Sequence, residues 1–336
     1  MCRSSSLALF SALLFVLLIG VPPAQAQEQD ELADVLRTLG REYADNYTQP
    51  VTDALGANMN AGLFRTAEVA GGGLVPGIDI YVGAAAMGAL TAGSATSFGL
   101  SEDQIEVTMD GGNTQTITID YPDRDVPTVF GEENFSGQAD ILDENGQKIG
   151  EIGLPSGLLD TRIAPLVVPQ VGLGTVFGTD AQVRFLPDTD FGDYGSVSMV
   201  GVSVRHSLSQ YVPLAPVNVA VQGTWQSLSL SGSEGSNNPS EIVDASGWAL
   251  NAQVSKSVPV LPITLYGGLQ YERFGTDVEY VFETQAGTSS ISFDQDASNR
   301  VRALGGVAFT LAVLRVNVDY ALSANNTVSA GVGLTL

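Results

Sequence analysis

The chain has 336 residues, with 14 Lys and Arg against 37 Asp and Glu, and a formal net charge of −23. That balance excludes nucleic acid or an acidic polymer as a general partner. Charged residues make up only 15% of the chain while glycine fills 38 positions, whereas a soluble domain ordinarily carries about 25% charge.

Residues 1–26 read as a secretory signal. Arg3 supplies the positive start, Leu7 to Ile19 the apolar run, and Ala24-Gln25-Ala26 the small-x-small cleavage site. Cleavage removes Arg3 and Cys2, which moves the net charge from −23 to −24 and leaves no cysteine for thiol or disulfide chemistry. No later run reaches about 18 apolar residues, so no transmembrane helix is predicted.

Residues 27–73 are predicted as an N-terminal helical segment. Leu32, Val35, Leu36, Leu39 and Tyr43 fall on one helical face over residues 28–47, and Gln49-Pro50 is expected to end that helix. A second short stretch, Val51 to Ala67, carries Leu55, Met59, Leu63 and Phe64, and Gly71-Gly72-Gly73 reads as a joint before a strand at about 78–90. Such a segment ahead of a barrel packs at the periplasmic mouth, plugs the lumen, or gates it. Residues 101–160 form an acidic, water-exposed insertion, with only Arg124 and Lys148 as cations. Within it, Asp110-Gly111-Gly112-Asn113 between two alternating runs is a hairpin signature.

From Pro165 onward the strands become regular. They are predicted at 166–175, 179–187, 194–206, 216–230, 246–257, 262–283, 289–311, 314–322 and 326–336. In the last, Val328, Ala330, Val332, Leu334 and Leu336 alternate with Thr327, Ser329, Gly331, Gly333 and Thr335, so the chain ends on an apolar residue inside a strand. If that end is periplasmic, the other turns alternate between long external loops and mostly short internal ones, which is the barrel rule. The fold class is therefore all-β: a transmembrane antiparallel β-barrel of 10–12 strands over residues 74–336. Nine strands plus the one at 78–90 make ten; the 103–121 hairpin would make twelve, the favoured number. A soluble sandwich, with a second sheet covering the apolar faces, is the rival.

Parity places Arg184, Arg205, Glu272, Arg302, Arg315 and Asp319 on the inward face, with Arg300 at the external rim. Charges in a narrow lumen must be paired or hydrated, so a network in which Arg315 and Asp319 pair with neighbouring strands is the first expectation. An arginine-lined constriction attracting anions is the second. Asp188, Asp190 and Asp193 form a weak cation-binding candidate in an external loop that lacks full calcium-loop spacing. The single histidine, His206, closes a strand beside a predicted periplasmic turn and reads as turn-stabilising. No catalytic group, metal site or cofactor is predicted, and an outer-membrane enzyme is the remote alternative.

Three stretches carry a family resemblance: Pro169-Gln170-Val171-Gly172-Leu173-Gly174 with Val183-Arg184-Phe185-Leu186-Pro187; Gly201 to Pro213; and Asn58-Met59-Asn60-Ala61-Gly62-Leu63-Phe64-Arg65-Thr66-Ala67. Together they resemble an uncharacterised family of predicted outer-membrane β-barrels. That likeness implies fold and location but no substrate. More distantly, the chain is similar to long-chain fatty-acid transporter-like barrels, an analogy of fold alone. The expected role is passive passage of a small, hydrophobic or other solute through the cell outer membrane. The alternative is a structural or surface-binding barrel with a sealed lumen. Expected partners are outer-membrane lipid, a small-molecule solute or hydrophobic ligand, and the barrel-assembly machinery through the C-terminal strand.

Overall fold

The computed structural model describes residues 26–69, 78–91, 95–100, 103–108, 114–122, 124–157, 161–190, 196–212, 215–231, 241–284 and 287–336. The secretory signal up to residue 25, the Gly71–Gly73 joint, the 110–113 turn and Asp193 lie outside these residues. In chain order the elements are helix α1 (Ala26–Met59), β1 (Ile78–Leu90), β2 (Ser97–Phe98), β3 (Asp103–Thr108), β4 (Thr114–Asp120), β5 (Val126–Pro127), β6 (Gly137–Leu142) and β7 (Lys148–Leu154). They continue with β8 (Ile163–Thr175), β9 (Thr179–Asp190), β10 (Ser196–Ser207), β11 (Asn218–Ser231), β12 (Glu241–Ser257), β13 (Ile263–Thr284), β14 (Gly287–Asp296), β15 (Val301–Leu311), β16 (Leu314–Leu322) and β17 (Thr327–Thr335).

Two compact units emerge. The first joins Thr52–Leu90 to Ile163–Leu336 and is a closed antiparallel barrel. Its ring runs β1-β8-β9-β10-β11-β12-β13-β15-β16-β17 and closes where β17 pairs with β1, from Tyr81↔Thr335 to Ala89↔Thr327. The wall thus has ten strands, not twelve. The 103–121 hairpin is β3–β4, and through β4 it pairs with β6 in a separate four-stranded sheet of order β3-β4-β6-β7. That pairing takes the free edge of β4, so the hairpin extends this sheet and not the wall.

The predicted strand 289–311 is also divided. β14 pairs with the distal part of β13, from Gly275↔Asp296 to Thr284↔Gly287, and stands outside the ring, while β15 pairs with the proximal part. The break at 297–300 has a local cause. The Asp53 carboxylate accepts hydrogen bonds from Ser298 N (2.7 Å) and Ser298 Oγ (3.0 Å), drawing this segment onto α1. Gly56 permits that approach, since a Cβ there would stand 2.7 Å from Ala297 Cβ.

The wall is inverted relative to a soluble protein. Along β12, Ala245, Ala249, Asn251, Gln253 and Ser255 are buried while Trp248, Leu250 and Val254 are exposed. Glutamine, asparagine, arginine and serine fill the inner face, and valine, leucine and aromatic residues face outward on every neighbouring strand. The sheet closes on itself where β17 pairs with β1, which removes the sandwich rival.

The second unit comprises Val21–Val51 and Thr91–Arg162. Its core gathers Tyr43, Tyr47, Ile119, Tyr121, Val126, Val129, Ala139 and Leu154. Tyr43 stacks on Tyr47 and Tyr121 at centroid distances of 6.1 and 6.4 Å and meets Phe98 edge-on at 5.3 Å. Burial pushes the Tyr43 phenol above its ordinary range. Tyr47 donates from its hydroxyl to Ser156 O at 2.8 Å and accepts Val129 N at its carbonyl at 3.1 Å.

Helix α1 does not end at Pro50. It is continuous to Met59 with Pro50 inside. An internal proline costs about 3 kcal/mol in lost hydrogen bonding and steric clash. Here the turns before it are held by the tyrosine cluster and the turns after it by the barrel interior, so tertiary packing overrides the local break.

Candidate functional site

The barrel lumen is where the polar chemistry concentrates, and residues 52–67 of the same chain occupy it. Thr52 opens the path. Its hydroxyl lies 2.8 Å from Thr276 Oγ1 on β13 and donates to Gln295 Oε1 at 2.8 Å. From there the chain descends past successive rungs of the wall. Arg302 Nη2 donates to Ala57 O at 2.8 Å, Asn58 Nδ2 to Ala164 O at 2.7 Å, Gln226 Nε2 to Met59 O at 2.5 Å and Gln270 Nε2 to Asn60 O at 2.9 Å. Lower still, Arg205 donates to Thr66 O, and Ala67 N donates to Ser255 Oγ at 3.0 Å. Since Thr276 and Ser255 stand near opposite ends of the wall, this segment traverses the barrel's height.

Arg184 is the central clasp. Its Nη1 donates to Ala61 O at 2.9 Å and reaches Met59 O at 3.4 Å, while Nη2 donates to Gly62 O. The last carbonyls of a helix lack intrahelical donors and carry partial negative charge, so a guanidinium is a favourable partner there. Gly62 makes the turn possible: its φ of +62° is a conformation side chains rarely adopt. Apolar contacts add to these hydrogen bonds. Met59 and Ala61 pack with Met87, Val168, Leu186, Met199, Leu228 and Phe274, and Leu63 and Phe64 pack with Ala249, Tyr266 and Ala308.

The remaining inward charges separate into distinct roles. Arg302 is buried and doubly bonded to Glu272, Nε to Oε2 at 3.0 Å and Nη2 to Oε1 at 2.9 Å, with Nη1 on Thr327 Oγ1 at 2.7 Å. Arg205 pairs with Asp180. Asp319 is buried but meets no cation at ion-pair distance; it accepts from Tyr266 OH at 2.8 Å and from the Ser329 hydroxyl. Arg315 is half-buried, with its Nε 3.4 Å from Thr310 Oγ1. The expected pairing of Arg315 and Asp319 with charged neighbours is therefore absent among the described residues, because hydroxyl donors already fill the Asp319 oxygens. Arg300 bonds Asp296 at 3.0 Å near the rim.

Of the cation-binding candidates, Asp188 and Asp190 are exposed on β9, and Asp193 lies outside the described residues. His206 is a turn residue. Its Nδ1 is 2.7 Å from Thr179 Oγ1, and its Nε2 lies 3.0 Å from both Tyr211 OH and Gln210 Nε2.

Sequence reasoning missed Arg65 and the inward glutamines. Arg65 is 5% exposed and lies over the Tyr81 ring at 4.0 Å, and its Nε has no hydrogen-bond partner among the described residues. It borders a cavity of about 20 Å³ shared with Asp79, Asp180, Arg205, Arg315 and Thr335. Asp79 Oδ1 and Thr335 Oγ1 are likewise buried without partners. Gln170, Gln182, Gln226 and Gln270 had a detectable signal, since each falls on the inward parity, but their role needs the strand register.

Solved structures to which the chain is similar include the translocator domain of the autotransporter NalP from Neisseria meningitidis. Identity is 11%, 93% of this chain and 99% of that one are covered, and the TM-score is 0.28. Others are OmpT, an outer membrane protein of Vibrio cholerae (12% identity, 77% and 99% coverage, TM-score 0.25), and the transport unit of the autotransporter AIDA-I from Escherichia coli (10% identity, 87% and 97% coverage, TM-score 0.29). Among curated proteins none matches the sequence. No helix among the described residues is long and apolar enough to cross a membrane. Over residues 4–336 the sequence matches one family model, and the chain belongs to that family of unknown function, DUF6588.

Proposed function

We propose that this chain is an outer-membrane barrel sealed by its own residues 52–67, with a structural or surface-binding role carried by the segment tethered between Leu90 and Ile163. A ten-stranded wall lies between the eight-stranded barrels that side chains fill and the sixteen-stranded ones that leave a channel. One chain segment suffices to close such a lumen. The observation that carries this reading is the clasp of Arg184 and Arg302 on the carbonyls of Ala57, Met59, Ala61 and Gly62. Hydrogen bonds from charged donors contribute about 1.5–3 kcal/mol each, so spontaneous withdrawal of this segment is strongly disfavoured.

Gated passage of a small solute is the second reading. Arg65, Asp79 and Thr335 favour it, because an unpartnered buried atom of each residue belongs to the lining of one small cavity at this end of the segment. A cysteine pair at Thr66 and Ser255 separates the two, since their hydroxyl oxygens lie 3.2 Å apart. In a Cys2→Ser background, liposomes carrying Thr66→Cys/Ser255→Cys are expected to exclude small sugars equally before and after reduction. Solute entry only after reduction would contradict the sealed reading and favour a gate.

A further inference from the structure

Four connections on the wall join β8 to β9, β10 to β11, β12 to β13 and β15 to β16. They lie at the barrel end that holds Leu336. Residues 176–178, 208–217, 258–262 and 312–313 contain no Asp, Glu, Lys or Arg, in a chain of net charge −23. Large side chains on them are exposed: Phe177 is 77% exposed, Val260 103% and Tyr211, whose hydroxyl reaches His206, 68%. The opposite end is acidic, with exposed Asp188, Asp190, Asp244 and Asp296. Short turns in water are normally built from polar residues and glycine. Val260 departs furthest from that expectation. Its φ is 71°, and a β-branched residue there is strained. Since its side chain touches so little of the protein, no packing within the barrel offsets that strain.

Strand length says what does cover this rim. Trp225 pairs with Trp248 across β11 and β12, and Trp248 meets Tyr271 at 5.6 Å, forming an aromatic level on the outer face. From Trp248 to the turn after Ser257 is about nine residues, which at about 3.3 Å per residue and a tilt of roughly 40° spans about 23 Å. The apolar band of an outer-membrane barrel is about 25 Å tall. With the aromatic level at one interface, the four turns reach the other.

We infer that the charge-free rim formed by Phe177, Tyr211, Val260, Leu261 and Val313 is immersed in the interfacial zone of a phospholipid leaflet, so that the barrel ends flush with the membrane there. This rests on the membrane-spanning reading, and the test tells the two apart. Nitroxide labels are placed one at a time by Phe177→Cys, Val260→Cys, Leu250→Cys and Asp188→Cys in the full chain carrying Cys2→Ser, reconstituted in phosphatidylcholine bilayers. Labels at 177 and 260 are expected to collide several-fold more with oxygen than with a water-soluble nickel chelate. The label at 250 is expected to show a larger excess, and the label at 188 the reverse preference. Nickel accessibility at 177 and 260 equal to that at 188, with 250 still lipid-exposed, overturns the inference and leaves the rim free for a soluble protein partner. Nickel accessibility at 250 as well overturns both the inference and the membrane reading.

Discussion

Arg302 and Glu272 show how a buried charge is kept in this lumen. Both side chains are 1% exposed, and each guanidinium nitrogen has an acceptor. Removing one partner leaves an uncompensated buried charge, which typically costs about 3–5 kcal/mol. Arg302→Ala is therefore expected to lower the unfolding free energy of the reconstituted barrel, read from urea titration, by that order. The double variant Arg302→Met/Glu272→Leu should recover most of the loss, and a single variant without effect would show that the pair is hydrated. Parity alone put both residues on the inner face. It did not reveal that Arg302 and Arg184 serve the carbonyls of the chain's own N-terminal segment, because that contact joins positions 245 and 123 residues apart. Asp319 was legible as inward but not as a hydroxyl-bonded carboxylate, since Tyr266 and Ser329 reach it from strands whose register the sequence does not state.

At the scale of elements, period-2 alternation marked the wall strands because one face is polar and the other apolar at every step, but it ran β14 and β15 together as a single strand at 289–311. Proline misled at α1, where packing on both sides of Pro50 outweighs a local cost. The turn that follows α1 depends on Gly62. A Cβ there would meet Met87 Sδ at 3.1 Å as well as adopting positive φ. Gly62→Ala is expected to destabilise by about 1–2 kcal/mol, the penalty of a side chain in the left-handed region. Thermal unfolding followed by gel mobility would detect it, and an unchanged midpoint would place the turn elsewhere. In the second unit, the Asp143 carboxylate accepts the backbone N–H groups of Gln147 and Asn145, each at 2.8 Å, which hold it below the usual carboxylate range. A lowered folded value means the turn's extra stability is present above the ordinary carboxylate pKa and lost as pH falls through the folded one. The protection of the Gln147 amide relative to its intrinsic exchange rate at the same pH should fall on acidification, and Asp143→Asn should remove that loss.

The barrel is polarised between one end with exposed Asp188, Asp190, Asp244 and Asp296 and another whose connecting turns carry no charged residue. A net charge of −23 repels itself, and salt screens that repulsion. The unfolding midpoint should therefore rise as ionic strength rises from about 0.01 to 0.15 M, where the Debye length falls from about 30 to about 8 Å. A midpoint that falls with salt would mean that attractive pairs dominate instead. Single-channel current across a planar phospholipid bilayer reports whether residues 52–67 close the lumen. The full chain is expected to insert without steady conductance, whereas a chain lacking residues 52–69 should open a stable pore. Steady openings from the intact, folded chain would contradict a sealed barrel.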